Sequence, residues 1–384
     1  MRKLRVAMLV HWSLVPPEDI HSSDDPRVEK CQSEYDVKQA LLRLGHDVQI
    51  VGVYDDLAPI RKVIEDWKPN IVFNLLEDFA GNSAFDYYVV SYLEMLNMPY
   101  TGCNPRGLLL GRDKALSKKI LTYHRIEVPD FIVLPYRQKI GKLRKLPYPM
   151  FVKSLIEEGS VGIAQSSYVE NEEQLRERAA KLHEMTKGDV IAEQYIDGRE
   201  FYVTVVGNQR LDVYPIRELV FDKVPEGQPK AATFKVKWDH EYRERWGIDY
   251  VFARPLAVGV AERIERLCKR PKAATFKVKW DHEYRERWGI DYVFARPLAA
   301  GVAERIERLC KRVYRVLDLS GYARIDLRLS PDGKLYVLEA NPNPAIAAND
   351  ECAFSAEKAG LKYEEFVQRI LTLGLSSHQV RLGE

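Results

Sequence analysis

The chain has 384 residues, 46% apolar and 30% charged, with a net charge of +2. That length exceeds one ordinary core and sets two or three domains as the expectation. The interspersed charge lacks the footprint of a nucleic-acid or membrane-surface binder, and five cysteines without C-x-x-C spacing or a nearby His cluster argue against a disulfide framework or a zinc site.

The first elements are short Val/Ile/Leu-rich runs, "LRVAMLV", "HDVQIVGVY" and "NIVFNLL", separated by the helical patterns "EYDVKQALLRLG" and "APIRKVIEDW". Buried strands alternating with helices predict a parallel sheet covered on both faces. The apolar start contains Arg5 and lacks a small-residue cleavage site, so it reads as the first buried strand of a cytoplasmic protein rather than a secretion signal. No segment approaches a membrane span. This α/β unit ends near "MPYTGCNPRG", and a helix, "RDKALSKKILTYH", follows. Next come "YPMFVKSLIEEGSVGIAQ", read as strand, polar turn and strand, and "DVIAEQYIDGREFYVTVVG", two strands around Asp197-Gly198. The end holds a hairpin, "YARIDLRLSPDGKLYVLEANPNP", and a helical pair.

Between them lies a tandem repeat. Pro229–Arg270 and Pro271–Arg312 stand head to tail and differ at one position in 42, Val258 against Ala300. Each copy reads as an extended stretch, "ATFKVKW", a polar aromatic-rich segment, and an amphipathic helix. In the second copy Leu298, Val302, Ile306, Leu309, Val313 and Val316 recur at helical spacing. In the first, Pro271 stands where Val313 stands in the second, and proline stops the helix there. A solenoid needs three or more units, so the repeat reads as an insertion into an existing domain.

Three segments carry candidate chemistry. In the final hairpin, alternation puts Glu339 and Asn341 on one face with Asp326 opposite them, an all-oxygen set suited to Mg²⁺ shared with phosphate groups. Arg324 points to that same face, where it would meet substrate charge. The bland alternative is an ordinary polar strand pair. In "FVKSLIEEGSVGI", Lys153 precedes a turn containing Gly159, Ser160 and Gly162, whose amides suit phosphate oxygens; a generic glycine hairpin would look alike. In "IAEQYIDGREF", Glu193 and Glu200 flank a strand and turn of the kind that serves purine and ribose, or a solvated acidic turn.

In this order the segments resemble the ATP-grasp superfamily, most closely its D-alanine–D-alanine ligase branch, from about Met1 to Leu373 apart from the extra copy. The resemblance implies an α/β fold, α+β in the ATP-binding part: a Rossmann-like N-terminal domain over 1–105 and ATP-grasp subdomains over 106–190 and 191–384. It implies that Lys114 and Lys153 contact nucleotide phosphates under the loop "EEGSVGI". Glu193, Gln194 and Ile196 would hold adenine, and Glu200 the ribose. Asp326, Glu339 and Asn341 would hold Mg²⁺, as two ions, or Mn²⁺. Arg324 would lie at the reacting phosphate. The repeat is similar to the family's lid with its following helix, giving Lys237-Trp238 and Lys279-Trp280 as two versions of one Lys-aromatic pair. ATP, a carboxylate and an amine are the implied substrates, and a homodimer the usual assembly.

Two departures concern the substrate. The stretch "NLLEDFAGNSAFDYY" lacks the family's His-Gly and Gly-Glu-Asp-Gly run. Asp350 and Glu351 occupy the Ser-Leu positions that receive the acceptor's carboxylate, where they would repel it and favour an acceptor with a second amine. The expected activity is ATP-dependent carboxylate–amine ligation through an acyl phosphate. The alternatives are another ATP-grasp amino-acid or peptide ligase, or a nucleotide-binding protein made inactive by the doubled lid.

Overall fold

The computed structural model describes residues 2–20, 22–23, 25–138, 140–141, 143, 147–157, 165–221, 248–252 and 298–383. The N-terminal runs form parallel strands β1 (Arg5–His11), β2 (Asp47–Val53) and β3 (Ile71–Asn74) in the order β2-β1-β3. Val6 to Val10 of the central strand are fully buried, as expected of a strand covered on both faces. Helices α1 (Gln32–Arg43), α2 (Ala58–Trp67) and α3 (Asp86–Met95) belong to this unit. In α1, Val37, Ala40 and Leu41 recur at helical spacing and are buried.

The stretch expected as one helix begins only at Lys114. Helix α4 (Pro105–Arg112) ends at Asp113, whose extended backbone breaks the run. The Asp113 carboxylate accepts from the Ala115 and Leu116 amides at 2.9 and 2.8 Å and so caps α5 (Lys114–Tyr123).

Strands β4 (Phe131–Leu134), β5 (Met150–Ser154), β6 (Tyr168–Val169) and β7 (Val190–Gln194) form an antiparallel sheet ordered β4-β7-β5-β6. Helix α6 (Glu172–Thr186) covers it with Leu175, Ala179 and Leu182, all fully buried.

The third sheet comprises β8 (Arg199–Gly207), β9 (Leu211–Val213), β10 (Arg217–Phe221), β11 (Ile248–Phe252), β12 (Tyr322–Leu329) and β13 (Leu335–Pro342). Its order is β11-β10-β8-β12-β13, with β9 on β8. The two faces differ sharply. Phe201, Val203, Val205, Ala323, Ile325, Leu327 and Val337 are buried with the stripe of α7 (Val302–Val316). Of that predicted stripe, Leu298, Val302, Ile306 and Val313 are buried, while Leu309 and Val316 are partly so. Each such aliphatic side chain contributes about 1.5–3 kcal/mol. The opposite face carries Glu200, Tyr202 and Thr204 beside Arg328, Asp326 and Arg324, in register. Helices α8 (Glu351–Lys358) and α9 (Tyr363–Leu382) close the fold.

The repeat is divided between its copies. Strand β11 belongs to the first copy and helix α7 to the second, so residues 253–297 fill a junction that one copy would span with Ala295, Arg296 and Pro297. The first copy's stripe, Leu256, Val260, Ile264 and Leu267, lies outside the described residues.

Candidate active site

The polar face of the third sheet and the strand β5 of the second supply the site. In the ladder of β12 and β13, Asp326 is directly opposite Glu339 and Arg324 opposite Asn341. Residues two apart share a face, so the four predicted side chains stand together. Arg324 donates to both Asp326 oxygens, at 2.8 and 2.9 Å, and to Glu351 Oε2 at 3.2 Å. Its guanidinium lies 5.2 Å from the centre of the Tyr202 ring. Asn341 donates through Nδ2 to the Arg324 carbonyl at 3.4 Å, which leaves its amide oxygen as acceptor.

Lysines reach this face from the side. Lys153 on β5 is buried and lies 3.1 Å from Glu193 Oε2 and 3.6 Å from Glu339 Oε2. Burial works against its charge, but Glu193 and Glu339 together outweigh that and raise it above an ordinary lysine. Lys114 donates to the Glu157 carbonyl at 2.7 Å, at the edge of the expected phosphate loop. Lys118, one turn further along α5, is 1% exposed. It donates to the Leu338 carbonyl and lies 3.3 Å from Glu193 Oε1. Burial lowers its ammonium to about 8, despite the attraction of Glu193.

A divalent ion fits this donor set. Asp326 and Glu339 present hard oxygens across one strand pair, Asn341 adds a neutral one, and the surrounding cations mark a place for phosphate. Each carboxylate oxygen has two acceptor positions, so the Arg324 fork does not exhaust Asp326. Among the described residues no group of three His, Cys, Asp or Glu side chains is placed to hold a metal, so an ion here would need the amide and phosphate oxygens as well.

Several of the expected site residues have partners within the fold. The Glu193 carboxylate sits between Lys118 and Lys153, and Ile196 after β7 is buried. Glu200 accepts from Arg328 at one oxygen, at 2.5 Å, and from the Tyr202 hydroxyl at the other, at 2.5 Å, so a ribose contact there would share a carboxylate that already has buried partners. Glu351 pairs with Arg324, and Asp350 accepts from the Ala347 amide at 2.7 Å. Gly159, Ser160, Gly162, Lys237, Trp238, Lys279 and Trp280 lie outside the described residues.

Lys118, Arg328, Tyr202 and Glu34 escaped the reading of the sequence. Glu34 is 6% exposed in the first turn of α1. Burial, with the nearby charges of Glu77 and Asp350, pushes its carboxyl up to about 7. The Asp36 carboxylate holds the Ala348 amide at 2.9 Å and ties α1 to the segment before α8. For Lys118 a signal existed, since it lies four residues after Lys114 and therefore on the same helix face.

Three sheets in this arrangement, with lysines and a carboxylate pair converging on one polar face, make an ATP-grasp fold. The chain belongs to the family described as "D-ala D-ala ligase C-terminus", whose sequence model matches residues 121–270 and again 249–372. The double match overlaps at 249–270 and so reports the repeat independently. A D-alanine–D-alanine ligase of Syntrophotalea carbinolica is 27% identical over 339 residues, covering 87% of this chain and 88% of the relative. An uncharacterised protein, y4sG, of Sinorhizobium fredii is 27% identical over 78% of the chain and 73% of its own length. The solved D-alanine–D-alanine ligase of Bacillus anthracis complexed with ATP superposes with a TM-score of 0.67 at 20% identity, covering 98% of this chain and 99% of that one. The VanG D-Ala:D-Ser ligase of Enterococcus faecalis gives 0.62 at 16% identity, with 97% and 100% covered. The protein is therefore a D-alanine–D-alanine ligase-like carboxylate–amine ligase.

Proposed function

We propose that this ligase joins a carboxylate to an amine-bearing acceptor that carries a second positive charge, with Mg²⁺ as the ion. The observation that supports the acceptor class is the acidic pair Asp350 and Glu351 at the start of α8, with Asp350 and Glu77 adding negative charge around the buried Glu34 carboxyl. On the same side, Arg324 is tied to Asp326 and Glu351, and Arg217 stacks over the Phe354 ring of α8 at 5.5 Å. A second ammonium would relieve the clustered negative charge, whereas an acceptor carboxylate would add to it.

In the proposed reaction the substrate carboxylate attacks the γ-phosphorus of ATP and the bond to ADP breaks, leaving an acyl phosphate. The amine attacks the acyl carbon, loses a proton, and the tetrahedral intermediate expels inorganic phosphate as the amide forms. Lys114 and Lys153 offset phosphate charge, and Arg324 faces the γ-phosphoryl oxygens from β12. Asp326, Glu339 and Asn341 would hold the ion, which supplies charge neutralisation between phosphates when bound.

The test is phosphate release from Mg-ATP with acceptors offered in pairs alongside single amino acids. A diamino acid as acceptor is expected to exceed D-alanine by about tenfold or more in kcat/KM, the worth of one charge contact of roughly 1.4 kcal/mol. Equal or better turnover with D-alanine as both substrates sinks the acceptor reading and leaves the ligase assignment standing.

A further inference from the structure

The ladder of β12 and β13 slips by one residue beside the carboxylate pair. Asp326 pairs with Glu339, but Leu327 pairs with Val337, so Leu338 is the extra residue of a bulge. A bulge leaves one residue out of the ladder and re-aims its neighbours, and here the neighbour is Glu339. A carbonyl turned out of a ladder needs another donor, and Lys118 from α5 supplies it. A neutral donor would satisfy that carbonyl at far less desolvation cost than a buried ammonium. The charge of Lys118 has a second use, because the same Nζ lies 3.3 Å from Glu193 Oε1. Glu193 in turn holds Lys153 at 3.1 Å, and Lys153 lies 3.6 Å from Glu339 Oε2. Glu339 is thus approached from both sides of one closed arrangement: its backbone through Leu338, and its carboxylate through Lys153.

We propose that Lys118 is a positioning residue, gripping the Leu338 carbonyl and the Glu193 carboxylate together so that Glu339 enters the nucleotide site in the direction a divalent ion requires. This rests on the reading of Glu339 as a metal ligand. It concerns a lysine that touches neither ion nor nucleotide and acts through the bulge.

The test uses the full chain, Mn²⁺ as the ion and AMPPNP as a nucleotide that is not turned over. Free Mn²⁺ is followed by electron paramagnetic resonance, and AMPPNP binding in EDTA by calorimetry. Lys118→Met is expected to weaken Mn²⁺ binding in the presence of AMPPNP by about tenfold, the usual scale for a group that orients a metal ligand. Its AMPPNP affinity without metal should change by less than about twofold, because the inferred contact is not to the nucleotide. Lys118→Arg keeps a cation and should restore most of the Mn²⁺ affinity. Unchanged Mn²⁺ binding in a folded Lys118→Met chain overturns the inference, and so does an equal loss of metal-free AMPPNP affinity, which would make Lys118 a direct phosphate contact. Should Lys118→Met fail to fold, the double variant Lys118→Met/Glu193→Gln removes the charge with its partner. Compared with Glu193→Gln alone, it should show the same tenfold loss, and no difference overturns the proposal. Glu339→Gln separates the two levels: if it leaves Mn²⁺ binding intact, the metal reading itself fails, whatever Lys118 does.

Discussion

The two copies of the repeat are alike at all but one position, yet they enter the fold as different parts. The first supplies the edge strand β11 and the second the helix α7. Contacts cannot explain that division, since both strand segments read "IDYVF". Covalent context can. The first strand reaches β10 after residues 222–247, whereas the second would need 222–289, and loop closure favours the shorter path by somewhat under 1 kcal/mol. For the helix the choice is chemical. Val313 and Tyr314 are buried in α7, with the Tyr314 hydroxyl on the Gly207 carbonyl at 2.8 Å. The first copy would bring Pro271 and Lys272 to those places, breaking the helix and burying an unpaired ammonium.

The largest effect that tests this division is a pair of substitutions at equivalent positions. Ile306→Ala should cost about 2–5 kcal/mol, because its side chain is fully buried against the large sheet. Ile264→Ala in the first copy should fall within about 0.5 kcal/mol. Urea titration of both decides the matter, and equal losses would mean that the two helices share the slot. A smaller effect comes from excision. Removing residues 253–294 joins Phe252 to Ala295 and yields the same polypeptide as removing 229–270. A junction roughly fifteenfold shorter should raise stability by about 2 kcal/mol, and a decrease would show that the spare copy contributes contacts of its own. At Glu34, outside the repeat, the full-length and excised chains should not differ. Its carboxyl is raised from the ordinary 4.5 to about 7, so the folded chain keeps a proton that the unfolded chain has released. Stability should therefore fall as pH rises from about 4.5 to 7, and Glu34→Gln should remove roughly 2–3 kcal/mol of that fall. Full-length and excised chains should show the same pH difference between folding free energies at pH 5 and 8. A divergence would tie the repeat to the acidic grouping.

What was legible in the sequence follows from periodicity. The strands of the N-terminal sheet read directly from unbroken apolar runs, and the Asp326, Glu339, Asn341 set followed from the two-residue repeat of a hairpin. Partners distant in sequence did not read. Arg328 and Glu200 meet only because β12 lies beside β8, and Lys118 in "ALSKKIL" shares a helix face with Lys114 but gives no sign of Leu338 opposite it. Helix α3 was hidden by composition: "DYYVVSYLEM" is apolar and aromatic nearly all round and shows no clean stripe. The two-residue spacing also could not foresee that a bulge at Leu338 would interrupt the hairpin, since bulges depend on the partner strand.

The junction between β11 and α7 has a use beyond this chain. Phe252 and Leu298 bracket a point where the fold keeps an edge strand and a core helix in place across a passenger of some forty residues. Such a point is where a foreign domain is most readily grafted. A reporter whose own ends lie close together could be spliced there in place of the spare copy.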